Sequence, residues 1–77
     1  MRRVPIYAKF GVVLRKHREA AGLSQRALAA MTGHQRTHIG FIERGVRNAS
    51  LAFADDLACA LRTSLSKMIV EAEKVRK

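Results

Sequence analysis

The chain is short of cysteine, of acidic residues and of long apolar runs. Its one cysteine, Cys59, has no partner for an internal disulfide, which favours a reducing compartment. No run reaches the roughly 18 apolar residues that a membrane helix needs. Asp55 and Asp56 interrupt the most hydrophobic stretch. The chain is also too short for a signal peptide plus a domain, so a cytoplasmic protein is expected. No Ser/His/Asp set and no glycine-rich phosphate loop occurs. The one acidic pair, Asp55–Asp56, is adjacent, so on a helix the two point about 100° apart and form no acid/base site. An enzyme is not expected, nor a cofactor, nor a metal. There is no internal repeat and no low-complexity tract.

Six acids stand against fifteen Lys or Arg, a net charge of +9. The excess is uneven. Residues 1–50 hold ten bases and two acids, a net +8, while residues 51–77 hold five bases and four acids, a net +1. A basic first part meets a polyanion, and a near-neutral second part packs or pairs with a partner. Seventy-seven residues make one small domain, and 48% hydrophobic content is ample for a compact, mostly helical core.

The chain is organised around residues 24–45, SQRALAAMTGHQRTHIGFIERG. This reads as two short helices and a sharp turn. Ser24 is a good N-cap, and the run to Met31 contains no helix breaker. Gly33 stops the helix, because glycine takes a left-handed backbone without strain. A second helix runs from near Gln35 to Arg44, and Gly45 closes it. Ile39 and Ile42 share its inner face with Leu28, while Arg36, Thr37, Gly40 and Phe41 lie opposite. A helix pinned below and basic above suits insertion into a DNA major groove.

Around this unit the pattern predicts three more helices. Helix 1 spans about residues 8–21, with Phe10, Val13 and Leu14 inward and Gly22 as its stop. Residues 1–7, with Arg2 and Arg3, form a loose basic arm. Residues 46–49 are a loop. Helix 4 starts at Ser50 and ends near Leu61, with Leu51, Leu57, Ala58 and Leu61 inward and Cys59 as a small core residue. A stop is needed near Arg62, where no glycine stands. Helix 5 starts at Ser64 and runs to about Val75.

Each candidate residue has a chemical reason. Arg36 can donate two hydrogen bonds to guanine O6 and N7, or meet a phosphate instead. Thr37 offers a methyl for thymine and a hydroxyl for a base edge or the helix's first turn. Phe41, one turn on, is placed either against a thymine methyl or in the core. Ser24 and Gln25 sit at a helix N-terminus, where free N–H groups attract phosphate. Arg44, Arg47 and Asn48 follow the second helix and can straddle the backbone. His34 and His38 have i, i+4 spacing without a third ligand nearby, so they read as polar residues of the second helix rather than a metal site.

The motif LR-x2-R-x3-GLSQ-x2-LA-x3-G-x5-I-x2-IERG, with LS-x2-I-x2-AE further on, resembles the Cro and lambda-repressor-like (XRE) helix-turn-helix domain over residues 10–73. RT-x-I-x2-IERG-x-RN-x-SL is similar to the controller proteins of restriction–modification systems. The resemblance implies an all-α, five-helix lambda-repressor-like fold. It also implies a homodimeric transcription regulator, of bacterial or phage origin, on a two-fold symmetric operator. It implies phosphate contact by Gln25, base contacts by Arg36 and Thr37, backbone contacts by Arg47 and Asn48, and a partly buried ion pair between Arg18 and Glu43. Gln35 stands where the family usually has a Ser or Thr cap, and Phe41 where it usually has a polar residue or lysine; both are counted with the base-reading positions.

Residues 50–76 are expected to carry the dimer, through Leu65, Met68, Ile69 and Ala72 of helix 5. Double-stranded operator DNA and a second copy are the expected partners, with RNA polymerase or a toxin protein as further candidates. The rival readings are an antitoxin of the same fold and a protein-interaction module.

Overall fold

The computed structural model describes residues 3–76. Five helices follow one another: α1 Ile6–Ala20, α2 Gln25–Thr32, α3 Arg36–Glu43, α4 Leu51–Ala60 and α5 Leu65–Glu73. No strand occurs among the described residues. Three of the N-caps are serines that the sequence predicts. The hydroxyls of Ser24, Ser50 and Ser64 accept from the backbone N–H of Ala27, Phe53 and Lys67. Helix α1 begins at Ile6, earlier than expected, so the arm is shorter than residues 1–7; Met1 and Arg2 lie outside the described residues.

Four of the helices end in one device. The backbone turns left-handed just past the last turn, and the following N–H bonds back to a carbonyl five residues earlier. Leu23 bonds Arg18, His34 bonds Ala29, Val46 bonds Phe41 and Thr63 bonds Ala58. Gly22, Gly33 and Gly45 supply the left-handed residue in three cases, and Arg62, with φ 59°, supplies it after α4. The stop near Arg62 therefore works without glycine, at a steric cost that glycine avoids.

The core joins all five helices. Leu14, Leu28, Ile39, Ile42, Leu57 and Met68 are completely buried, with Phe10, Val13 and Phe53 beside them. Helix α1 packs on α3 and α5, α2 on α3 and α4, and α4 on α5. The contact of α1 with α3 is unusually close. A Cβ on Gly11 would collide with the carbonyl oxygen of Ile42, and one on Gly45 would lie 3.0 Å from the Ala8 Cβ. Glycine at position 11 lets the two backbones meet, which sets the depth of α3.

Three placements correct the sequence reading. Leu51 is 79% exposed, because Phe53 and Ala54 take the inward positions at the start of α4. Cys59 is exposed, since it lies about 200° around the helix from the buried Leu57. Met68 and Ala72 are fully buried inside the monomer, so they cannot line a dimer interface; Leu65 and Ile69 pack on the core's edge and keep an outer side.

Candidate nucleic-acid interface

Helix α3 presents two unlike faces. Its underside holds Ile39 and Ile42, both completely buried. Its upper face presents Arg36 and Thr37, both exposed, at the first turn. Gln35 is the N-cap residue with extended backbone, and its exposed side chain makes no cap bond. Phe41 lies a turn further on and is half-buried, with Arg44 as the C-cap. Arg47 and Asn48 are exposed in the loop that follows. An open groove of about 360 Å³ runs beside the helix, lined by Gln35, Thr37, His38, Phe41 and Arg47 among others.

Beneath this face lies an ion pair. The Arg18 guanidinium donates to both Glu43 oxygens, Nε to Oε2 at 2.6 Å and Nη2 to Oε1 at 3.0 Å. Its third group, Nη1, donates to the Leu23 carbonyl at 2.8 Å. The Glu43 side chain is 3% exposed and that of Arg18 11%. The geometry is the bidentate fork that guanidinium and carboxylate favour. The Glu43 hydrogen bond raises the Arg18 pKa above the usual arginine value, burial pulls it the other way, and the Glu43 and Glu19 charges add to the rise. The pair ties α1 to the last residue of α3.

Gln25 extends that pair to the surface. Its Nε2 donates to Glu43 Oε1 at 3.0 Å, and its Oε1 accepts from Arg36 Nη1 at 3.3 Å. Only one orientation of the amide serves both partners. The Gln25 side chain is thus engaged inside the protein. Its position at the first turn of α2 still leaves the backbone amide at the positive end of the helix dipole. The Ser24 oxygen, likewise, already accepts the Ala27 N–H.

Two histidines of this region face another helix. His34 and His38 are half-buried against Phe53 of α4, with ring centroids 3.9 and 4.5 Å from its own. His34 Nε2 also lies 3.5 Å from Asp56 Oδ2. These histidines pack the turn and α3 onto α4. Phe41 is neither in the core nor bare. The guanidinium carbons of Arg44 and Arg47 lie over its ring, 5.2 and 5.3 Å from the centroid. Gly40 is buried beside them, with Arg44 Nη1 3.2 Å and Gln25 Oε1 3.5 Å from where a Cβ would stand. The sequence places Gly40 on the open face, where it is instead buried, and it gives Gly11 no role. An isolated glycine inside a helical pattern is the signal that marks both.

This architecture has relatives. The helix-turn-helix family HTH_3 matches residues 14–68, most of the chain and all of the ion pair, the turn and α3. The chain belongs to this helix-turn-helix family. It is a DNA-binding transcription regulator and not an enzyme. Control protein C.MunI of a Mycoplasma species is 37% identical over 70 residues, which is 90% of this chain and 95% of that protein. Control protein C.SmaI of Serratia marcescens is 43% identical over 56 residues, 73% of this chain and 67% of that protein. Among solved structures, the restriction-modification controller protein C.AhdI of Aeromonas hydrophila superposes with a TM-score of 0.77 at 44% identity, covering 80% of this chain and 94% of that one. The clp gene regulator ClgR of Corynebacterium glutamicum superposes with a TM-score of 0.87 at 25% identity, covering 90% of this chain and 73% of that one. No helix among the described residues of this helix-turn-helix protein is long and apolar enough to cross a membrane.

Proposed function

We propose that the protein binds a two-fold symmetric operator as a homodimer and acts as the controller of a restriction–modification operon, in the cytoplasm of its host. The observation that carries this reading is the exposed start of α3, Arg36 and Thr37, on a helix whose underside is locked by Ile39, Ile42 and the Arg18–Glu43 pair. Arg36 and Thr37, with Gln35, read base edges in the major groove. Arg36 leans on Gln25 through one nitrogen and keeps its remaining donors for guanine. The phosphate contacts fall to Arg44, Arg47 and Asn48, and to the start of α2 at Ser24 and Gln25, where backbone amides do the binding. The control proteins among its relatives support the operon assignment.

The dimer surface is an apolar groove rather than the inner stripe of α5. Ile6, Tyr7, Leu51, Leu65 and Ile69 line it. Ile6 is 47% and Leu51 79% exposed, which a lone monomer leaves in water. Pairing through this groove doubles the base contacts, and two-fold symmetry makes each copy cover the same patch of the other.

Selection of bound sequences from random duplex DNA, at near-physiological salt, tests the proposal. A two-fold symmetric motif with half-sites about one helical turn, ~34 Å, apart is expected. Binding that enriches no motif and fades evenly as salt rises overturns it, leaving phosphate attraction alone.

A further inference from the structure

Phe41 stands out among the three phenylalanines. Phe10 and Phe53 are buried in the core, 3% and 4% exposed, while Phe41 is half-exposed on a face of polar and basic residues. What it touches there is two cations. The turn after α3 brings this about: Gly45, at φ 73°, lets the Val46 N–H bond back to the Phe41 carbonyl at 3.1 Å, and the chain returns over the helix it has left. Arg44 before the turn and Arg47 after it both end over the same ring. Gly40 leaves room for Arg44 to lie flat on the helix, since a Cβ there would crowd its Nη1.

We propose that Phe41 is a positioning residue for DNA binding, whose ring holds the Arg44 and Arg47 guanidinium groups as a preset pair for the phosphate backbone beside the base-reading Arg36 and Thr37. The proposal rests on the reading of this face as the DNA interface. Its physical basis is the ring quadrupole, which attracts a guanidinium over its face. A free arginine side chain loses much rotamer freedom when it grips a phosphate. One already lying on an aromatic face has lost part of it beforehand. Each cation–ring pair at an exposed site is worth a factor of about 2–5. Phe41 thereby raises affinity for any duplex without reading sequence.

The test compares wild type, Phe41→Leu and Phe41→Tyr for binding to the selected operator and to an unrelated duplex. Leucine keeps the apolar bulk and lacks the quadrupole, whereas tyrosine keeps the ring. Phe41→Leu is expected to weaken both duplexes by the same factor, roughly 3–20-fold. The selected motif stays unchanged, and Phe41→Tyr binds within about twofold of wild type. As a second measurement, Arg47→Gln costs less in the Phe41→Leu background than in wild type, because the ring no longer presets the arginine. Three results overturn the proposal: Phe41→Leu binding like wild type, loss of preference at one base pair, which marks a direct thymine contact, or equal Arg47→Gln losses in both backgrounds. If wild type selects no motif at all, the operator reading fails. The unrelated duplex then still shows whether the ring presets the arginines.

Discussion

The two faces of α3 are built on different principles. The underside is held by burial: two isoleucines without any exposed surface, a glycine-to-carbonyl contact with α1, and a carboxylate that accepts three hydrogen bonds. The upper face is held by contacts at the edge of solvent: an amide beside Arg36 and a ring beneath Arg44 and Arg47. The underside governs whether α3 is in place, and in the function proposed above the upper face governs what it grips. Gln25 joins the two, since one side-chain amide touches both Glu43 below and Arg36 above. Changes on the upper face should therefore leave stability alone, whereas changes below reach recognition through the placement of α3, and Gln25 touches both.

Substitutions that separate the faces test this contrast. The largest effect is expected at Glu43. Replacing it with alanine leaves the Arg18 guanidinium buried without its carboxylate, and unfolding in denaturant should show a loss of about 3–5 kcal/mol. Gly11→Ala should come next, at about 1–3 kcal/mol, because the added methyl drives α1 off the Ile42 carbonyl. The same variant should weaken DNA binding, as α3 sits on that contact. On the upper face, Arg36→Ala should cost about 1–3 kcal/mol of operator binding and relax preference at one symmetric pair of positions. The smallest effect has the opposite sign. Arg62→Gly should raise stability by up to ~1 kcal/mol, since glycine takes the left-handed backbone without a steric penalty; thermal melting checks it.

The buried pair also has a pH signature. Arg18 has its pKa raised in the folded state, so its contribution is complete below the unfolded arginine value and is lost only as pH climbs past the folded one. Between about pH 7 and pH 10 arginine stays charged in both states. Stability measured over that window should show no slope from this group. A loss traced to Arg18 by comparison with Arg18→Met would contradict the account.

Much of the underside was legible in the residues. Serine before an apolar run gives a cap, glycine after one gives a stop, and Ile39 and Ile42 three apart must share a face. Those rules act within a few residues, and the helix ends bear them out at Ser24, Gly33, Gly45, Ser50 and Ser64. The Arg18–Glu43 pair came from family resemblance and not from spacing, because its partners lie 25 residues apart. What failed was long-range. Leu51 and Cys59 fit an inward stripe by type, yet which arc of α4 is covered depends on where α2 and α5 lie. Met68 and Ala72 look like spare apolar surface only until α5 is laid on α1 and α4. His34 and His38 carry no sign of Phe53, which stands on another helix. On the upper face, Phe41 had two readings and stays out of the core, and its Arg44 and Arg47 neighbours were not foreseen, because they arrive by way of a turn whose return path no local pattern reveals.

The most direct test of the division between the faces is a paired measurement on Arg36→Ala. Its unfolding in denaturant and its selected DNA motif are compared with those of wild type. The account predicts unfolding within about 0.5 kcal/mol of wild type, as for an exposed surface change, together with lost information at one symmetric pair of base positions. An unchanged motif would contradict it, and so would a variant that loses its fold along with its specificity.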